Sequence, residues 1–155
     1  MPLPESSARP RREYRFGSVR IGARSRELIQ AALDRNWVSA GENVRLFEEK
    51  FRQAFGYREA VTTSSGTTAV FTAVAALHDY GADWGDEVIT PALSFVASSN
   101  AVLAAGFKPV FVDVRRDTLN LDPARIEAAL TKRTRAILAV HTMGKPCDMD
   151  PILEI

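Results

Sequence analysis

A chain of 155 residues with 46% apolar content has enough material for one domain with a sizeable core, which excludes a disordered segment. A formal charge of +1 gives no global electrostatic case for a nucleic-acid or membrane partner, and the single cysteine, Cys147, excludes an internal disulfide. Two histidines beside that one cysteine make no convincing metal site, and no stretch reaches the apolar length of a membrane span.

The N-terminal stretch MPLPESSARPRREYRF lacks the apolar core of a secretory signal, so a reducing cytoplasm is the expected setting. Residues 1–20 read as an arm. Arg9, Arg11, Arg12, Arg15 and Arg20 crowd it, and an aromatic-poor basic tail favours a solvated or subunit-contacting arm over a nucleic-acid one. Residues 21–155 read as one globular part.

Ser25 to Arg35 predicts a helix with Leu28, Ile29, Ala32 and Leu33 on one face. Asn36-Trp37-Val38-Ser39-Ala40-Gly41 breaks it. A second helix is expected with Asn43 as cap, Val44, Phe47, Phe51 and Phe55 at helical spacing, and Gly56 as its stop. Ala60 to Thr63 is a strand candidate. Thr67 to Tyr80 predicts a helix with Val70, Ala73, Val74 and Leu77 inward. A strand at Glu87–Thr90 stops at Pro91, a helix runs from Ser94 to Ala105 and closes at Gly106, and Pro109–Val114 is the next strand. Asp122-Pro123 opens a helix to about Leu130, and Arg135–Val140 (RAILAV) reads as a strand buried on both faces.

Strand and helix alternating four times imply an α/β fold of three layers, a mostly parallel sheet with flanking helices. Ligands of such sheets sit beyond the carboxyl ends of the strands, where helix starts point. TTSSGTTAV lies there and allows two readings, a plain helix cap or an anion site in which Gly66 lets a phosphate approach the backbone between Ser65 and Thr67. It is neither a Walker loop nor a GxGxxG turn, and no nucleophile elbow is present. Phe95, at the next helix start, is a core ring or a platform for a flat ligand. His141 follows RAILAV, whereas His78, mid-helix beside Asp79, carries no signal. Asp148 and Pro151 open a last element that Ile155 cuts short, so the chain reads as the front portion of something longer.

Four segments in order, NWVSAGENVRLFEEKF, AVTTSSGTTAV, GDEVITPALSFVASSNAVLAAGFKPVFVDV and DTLNLDPARIEAALTKRTRAILAVHTMGKPCDMDPI, resemble the DegT/DnrJ/StrS family of nucleotide-sugar aminotransferases, from about Tyr14 to the last residue. The resemblance implies part of the large domain of fold type I and the cofactor pyridoxal 5'-phosphate. It implies that Ser65, Gly66 and Thr67 hold the cofactor phosphate and that Phe95 stacks on its ring. It matches Trp37, Ser39 and Gly41 to a substrate-side loop, and His141 to a family histidine without a defined role. It further implies a nucleotide-sugar substrate, an amino acid donor (usually glutamate) and a homodimer.

The family's Schiff-base lysine and its pyridinium-pairing aspartate match no position of this sequence. Lys50, Lys108, Lys132 and Lys145 do not correspond to that lysine, so the expectation is that the 155 residues alone do not transaminate. Two other readings stand beside this one. A related sugar 3-dehydrase would use pyridoxamine phosphate and carry histidine in place of the lysine. A stand-alone binding module or non-catalytic remnant would fold cooperatively and bind the cofactor without turnover.

Overall fold

The structure, a computed structural model, describes residues 17, 19–37 and 39–155. Most of the expected arm at 1–20 therefore lies outside the described residues. The chain divides into two compact units, residues 1–57 and 58–155.

The first unit carries α1 (Ala23–Asp34) and α2 (Glu42–Phe55), neither of which has a buried residue. Leu28, Ile29 and Leu33 share a face as expected, and all three are exposed. The cap of α2 is Gly41 rather than Asn43, which lies inside the first turn. A Cβ at Gly41 would come within 2.8 Å of Trp37 Nε1, so a side chain there would have to displace that ring. Gly56 ends the helix at φ 70°, as the sequence predicts. Along α2, Phe51 lies 5.9 Å from Phe47 and 4.6 Å from Phe55, the helical neighbour spacing.

In the second unit, α3 (Gly66–Ala75) leads to β1 (Glu87–Pro91), α4 (Ala97–Ala104) follows, and then come β2 (Lys108–Val112), β3 (Thr134–Ile137) and α5 (Met149–Leu153). The strands form one parallel sheet in the order β2-β1-β3. Adjacent residues of β1 point to opposite faces. Val88 joins Val74, Val102 and Phe107 under α3 and α4, while Ile89 joins Val112, Leu121, Ile126, Cys147 and Ile152 on the other face. That is the predicted three-layer α/β arrangement.

Several elements differ from expectation. Ala60–Thr63 is not a strand: among the described residues it joins no β-ladder, and Thr63 Oγ1 donates to Ser65 O (2.9 Å), drawing the chain into a turn. The 67–80 helix tightens to a 3₁₀ turn at Ala76–Tyr80, and Ala73 is exposed while Ala75 packs on the core. The α4 helix begins at Ala97 because the chain must first turn away from β1, with Ser98 N–H closing on Phe95 O. Its end matches the reading, since Phe107 N–H donates to Val102 O and Gly106 N–H to Leu103 O around Gly106 at φ 84°. Asp122 caps as predicted, yet 123–129 forms two 3₁₀ turns around buried Ile126. RAILAV is half-buried because β3 has a strand on one side only among the described residues.

The amino ends of the strands are stitched by charge. Asp86 accepts from Arg133 Nε (3.2 Å) and Arg135 Nε (2.5 Å), and the Arg135 bond chiefly holds its carboxyl down at about 2. Glu87 accepts from Thr131 Oγ1 (2.6 Å) and Lys108 Nζ (3.1 Å), the Thr131 bond being the main reason its pKa is lowered.

His78 is a structural group. Its Nδ1 and Nε2 each lie 2.9 Å from a carbonyl oxygen, of Ala82 and Ala105, and the ring stacks on Phe107 at 4.5 Å. A neutral imidazole can donate only once, so two carbonyl partners favour the imidazolium. The bond to Ala105, then that to Ala82, raises its pKa above the ordinary value. The sign follows: this stability is full below about pH 6.5, the unfolded value, and disappears as pH rises through the higher folded value. Thermal melts from mildly acidic to alkaline pH are expected to show that decline, and His78→Gln to flatten it. A wild-type melting temperature independent of pH across this range would refute the assignment.

Candidate active site

The first turn of α3 is built from its own hydroxyls. Thr68 N–H donates to Ser65 Oγ (3.2 Å), and Ser65 N–H donates back to Thr68 Oγ1 (3.0 Å). This is a reciprocal capping box with threonine at its third position. A helix start leaves four amides without internal partners. The box satisfies those of Ser65 and Thr68, and the amides of Gly66 and Thr67 have no acceptor among the described residues. Both residues are exposed, and a Cβ built on Gly66 would meet nothing within 4 Å. Two open N–H groups at the positive end of a ten-residue helix, with bare backbone between them, suit a phosphate.

The carboxyl edge of the sheet gathers the other candidates of this unit. Because α3 runs into the amino end of β1, its own start lies at the opposite, carboxyl edge. Phe95 follows β1 there and is 72% exposed, so it is not a core aromatic. Thr90, on the same face of β1 as Val88 and hence under α3 and α4, is fully buried, and its Oγ1 has no hydrogen-bond partner among the described residues. His141 follows β3. Its Nδ1 accepts from Cys147 N–H (3.0 Å), leaving Nε2 to carry the proton in the neutral ring. Burial, the largest influence on Cys147, pushes its thiol up, and Sγ donates to Val140 O (3.2 Å), so this cysteine is a packing group rather than a nucleophile.

Trp37, Ser39 and Gly41 come together in the first unit, around a cavity of about 630 Å³ also lined by Arg35, Glu42 and Arg45. Trp37 Nε1 donates to Ala40 O (3.2 Å), and Arg35 Nη1 pairs with Glu42 Oε2 at 2.6 Å. Val38 lies outside the described residues.

Two participants were missed from sequence. Thr68 completes the cap, and its signal was legible three residues after Ser65. Asn120 is 3% exposed and joins the loop before Asp122 to the His141 loop, through partners 22 to 26 positions away that no local pattern announces. Among the described residues no group of three or more histidine, cysteine, aspartate or glutamate side chains is placed to hold a metal, and no helix is long and apolar enough to cross a membrane.

The residues fit a flat, phosphate-bearing cofactor, with open amides, an exposed ring and an unpartnered buried hydroxyl at one edge of a parallel sheet. The model of the DegT/DnrJ/EryC1/StrS aminotransferase family matches residues 19–155, and the chain belongs to that family. It is 42% identical over 137 residues to GDP-perosamine synthase of Caulobacter vibrioides, covering 88% of this chain and 36% of that protein. It is 41% identical over 135 residues to the spore coat polysaccharide biosynthesis protein SpsC of Bacillus subtilis, covering 87% and 34%. Among solved structures, the Escherichia coli GDP-4-keto-6-deoxy-D-mannose-3-dehydratase with bound hydrated PLP superposes with a TM-score of 0.84 at 34% identity, covering 92% of this chain and 37% of that one. The chain thus spans about a third of the length of these relatives, and its large-domain fold is that of the fold type I enzymes.

Proposed function

We propose that this chain supplies the phosphate- and ring-holding part of a pyridoxal-phosphate-dependent enzyme that moves an amino group from an amino acid, glutamate first, to a keto-sugar carried on a nucleotide. The observation that carries the reading is the pair of open amides at Gly66 and Thr67, set in bare backbone by the Ser65–Thr68 box. Those amides hold the phosphate, and Ser65 keeps them pointed outward by closing the turn. Phe95 stacks on the cofactor ring, and His141 presents its Nε2–H on the same edge. When bound, pyridoxal phosphate supplies an electron-withdrawing ring that lets an amino group be exchanged between carbon skeletons.

Trp37, Ser39 and Gly41 form the substrate-side loop, the arm at 1–20 reaches a partner subunit in a homodimer, residues 21–155 belong to the cofactor domain, and the setting is the cytoplasm. The lysine that bonds the cofactor is contributed by residues other than Lys50, Lys108, Lys132 and Lys145, so the chain by itself binds without turning over. The likeness to the E. coli dehydratase supports a second reading, removal of water at the sugar with histidine in place of that lysine.

Full-length protein incubated with pyridoxal phosphate, glutamate and a nucleotide-linked keto-sugar is expected to yield an amino sugar by mass spectrometry. A product that has lost water and gained no nitrogen would favour the dehydrase. No cofactor binding and no change in the sugar would sink both.

A further inference from the structure

Asn120 is the most fully bonded buried polar side chain of the carboxyl edge. Its Nδ2 donates to Lys145 O (3.0 Å) and Pro146 O (2.9 Å), and its Oδ1 accepts from Thr142 N–H (2.9 Å). Two carbonyls on one side and an amide on the other leave a single orientation of the side-chain amide, and both donors and the acceptor are used. The three bonds grip residues 142, 145 and 146. Those residues form the connection between His141 and Cys147, the pair joined by the Cys147 N–H bond to His141 Nδ1.

The backbone on either side needs such a grip. Leu119 sits at φ 60° and Met143 at φ 54°, left-handed conformations that non-glycine side chains rarely adopt. Each is strained and persists only where surrounding bonds over-determine it. Met143 is also 94% exposed, so packing does not hold it in place. A simple connecting loop has no need of this strain. A loop that must present one ring nitrogen in one direction does.

We infer that Asn120 is a positioning residue for His141: its three hydrogen bonds fix the 141–147 loop so that Cys147 N–H occupies Nδ1 and His141 is held as an Nε2–H donor at the cofactor edge. The placement at the cofactor rests on the proposed function, whereas the coupling between Asn120 and the ring does not. A neutral side chain with one orientation is suited to the task, because a carboxylate at 120 would face two carbonyl oxygens without a donor.

The hydrogen bond is directly observable. In ¹⁵N-labelled chain, a nitrogen–nitrogen coupling across the bond is expected between the Cys147 amide and His141 Nδ1, with Nε2 protonated. Its absence in the wild type would overturn the inference before any variant is made. Asn120→Ala, and the isosteric Asn120→Asp, are expected to abolish the coupling and to speed exchange of the Cys147 amide by ~10-fold or more, with the His78 ring signals unchanged as the control for an intact fold. Coupling that survives in a folded variant would reduce Asn120 to a stabilising group and refute the positioning role.

Titration with pyridoxal phosphate separates the two layers. A shift of the Gly66 amide together with His141 Nε2 supports the placement at the cofactor. A shift at Gly66 alone removes His141 from that site and overturns that part of the inference. No shift at either, with the coupling intact, refutes the cofactor reading and leaves the Asn120–His141 link standing.

Discussion

Gly66→Asp is expected to weaken binding of pyridoxal phosphate by ~100-fold or more while leaving the fold as stable as before, to within about 0.5 kcal/mol. The two effects separate because the same field acts on both. An aspartate in the first turn is favoured by the positive end of α3, and its Cβ meets nothing within 4 Å, so folding does not suffer. The backbone conformation presents no obstacle either, since Gly66 is not among the glycines with positive φ. The carboxylate then occupies the region between the open amides and repels a second anion. Gly66→Ala sorts charge from bulk: it should stabilise the helix by about 0.5 kcal/mol and weaken binding ~10-fold, by methyl bulk alone. Absorbance titration with the cofactor and chemical denaturation of each variant measure the two quantities. Equal affinity for Gly66→Asp and wild type would remove the phosphate from α3.

The largest loss of stability is expected at Ile126. Its side chain is wholly buried among Ile89, Leu121 and Cys147, at the pivot between two short 3₁₀ turns that have few internal bonds of their own. Ile126→Ala removes apolar surface and leaves a cavity, at a cost of about 2–5 kcal/mol. A domain of this size has about 5–15 kcal/mol in total, so the variant should be partly unfolded at moderate denaturant. Leu130→Ala, where the side chain is 38% exposed, should cost less than about 1.5 kcal/mol. Urea midpoints give the comparison. An Ile126→Ala cost no larger than that of Leu130→Ala would show that this layer packs loosely.

What could be read from sequence follows the range of the interactions involved. Ser65, Gly66 and the N-terminal part of α3 were legible because a cap bonds within three residues of itself, and Gly106 and Asp122 declared their elements for the same reason. Pairing is not local. The 60–63 segment has strand composition and joins no β-ladder among the described residues, and RAILAV, nearly all apolar, lies half-buried because burial on two faces depends on neighbours the local pattern does not encode. Helix type in 122–130 was misread because Ile126 is set by the core it fills rather than by helical spacing. Of the candidate site, the capped turn at Ser65 was visible. The His141 tautomer was not, since it depends on Cys147; Asn120 acts through the Thr142 amide and the Lys145 and Pro146 carbonyls, 22 to 26 positions distant, and His78 reaches the Ala105 carbonyl 27 positions away. Trp37 was legible as a landmark, and the close approach of its ring to Gly41 was not.

The ion pairs of Asp86 and Glu87 have a bearing on how such a chain diversifies. They fasten β1 to the segments on either side of it at the amino ends of the strands, the edge opposite the start of α3. Strand registration is thereby secured at the edge opposite the start of α3. Exposed positions in the loop after β1, such as Leu93 and Val96, are then free to drift with little penalty in folding. Sequence change can be sampled at one rim of the sheet while the opposite rim keeps the architecture intact.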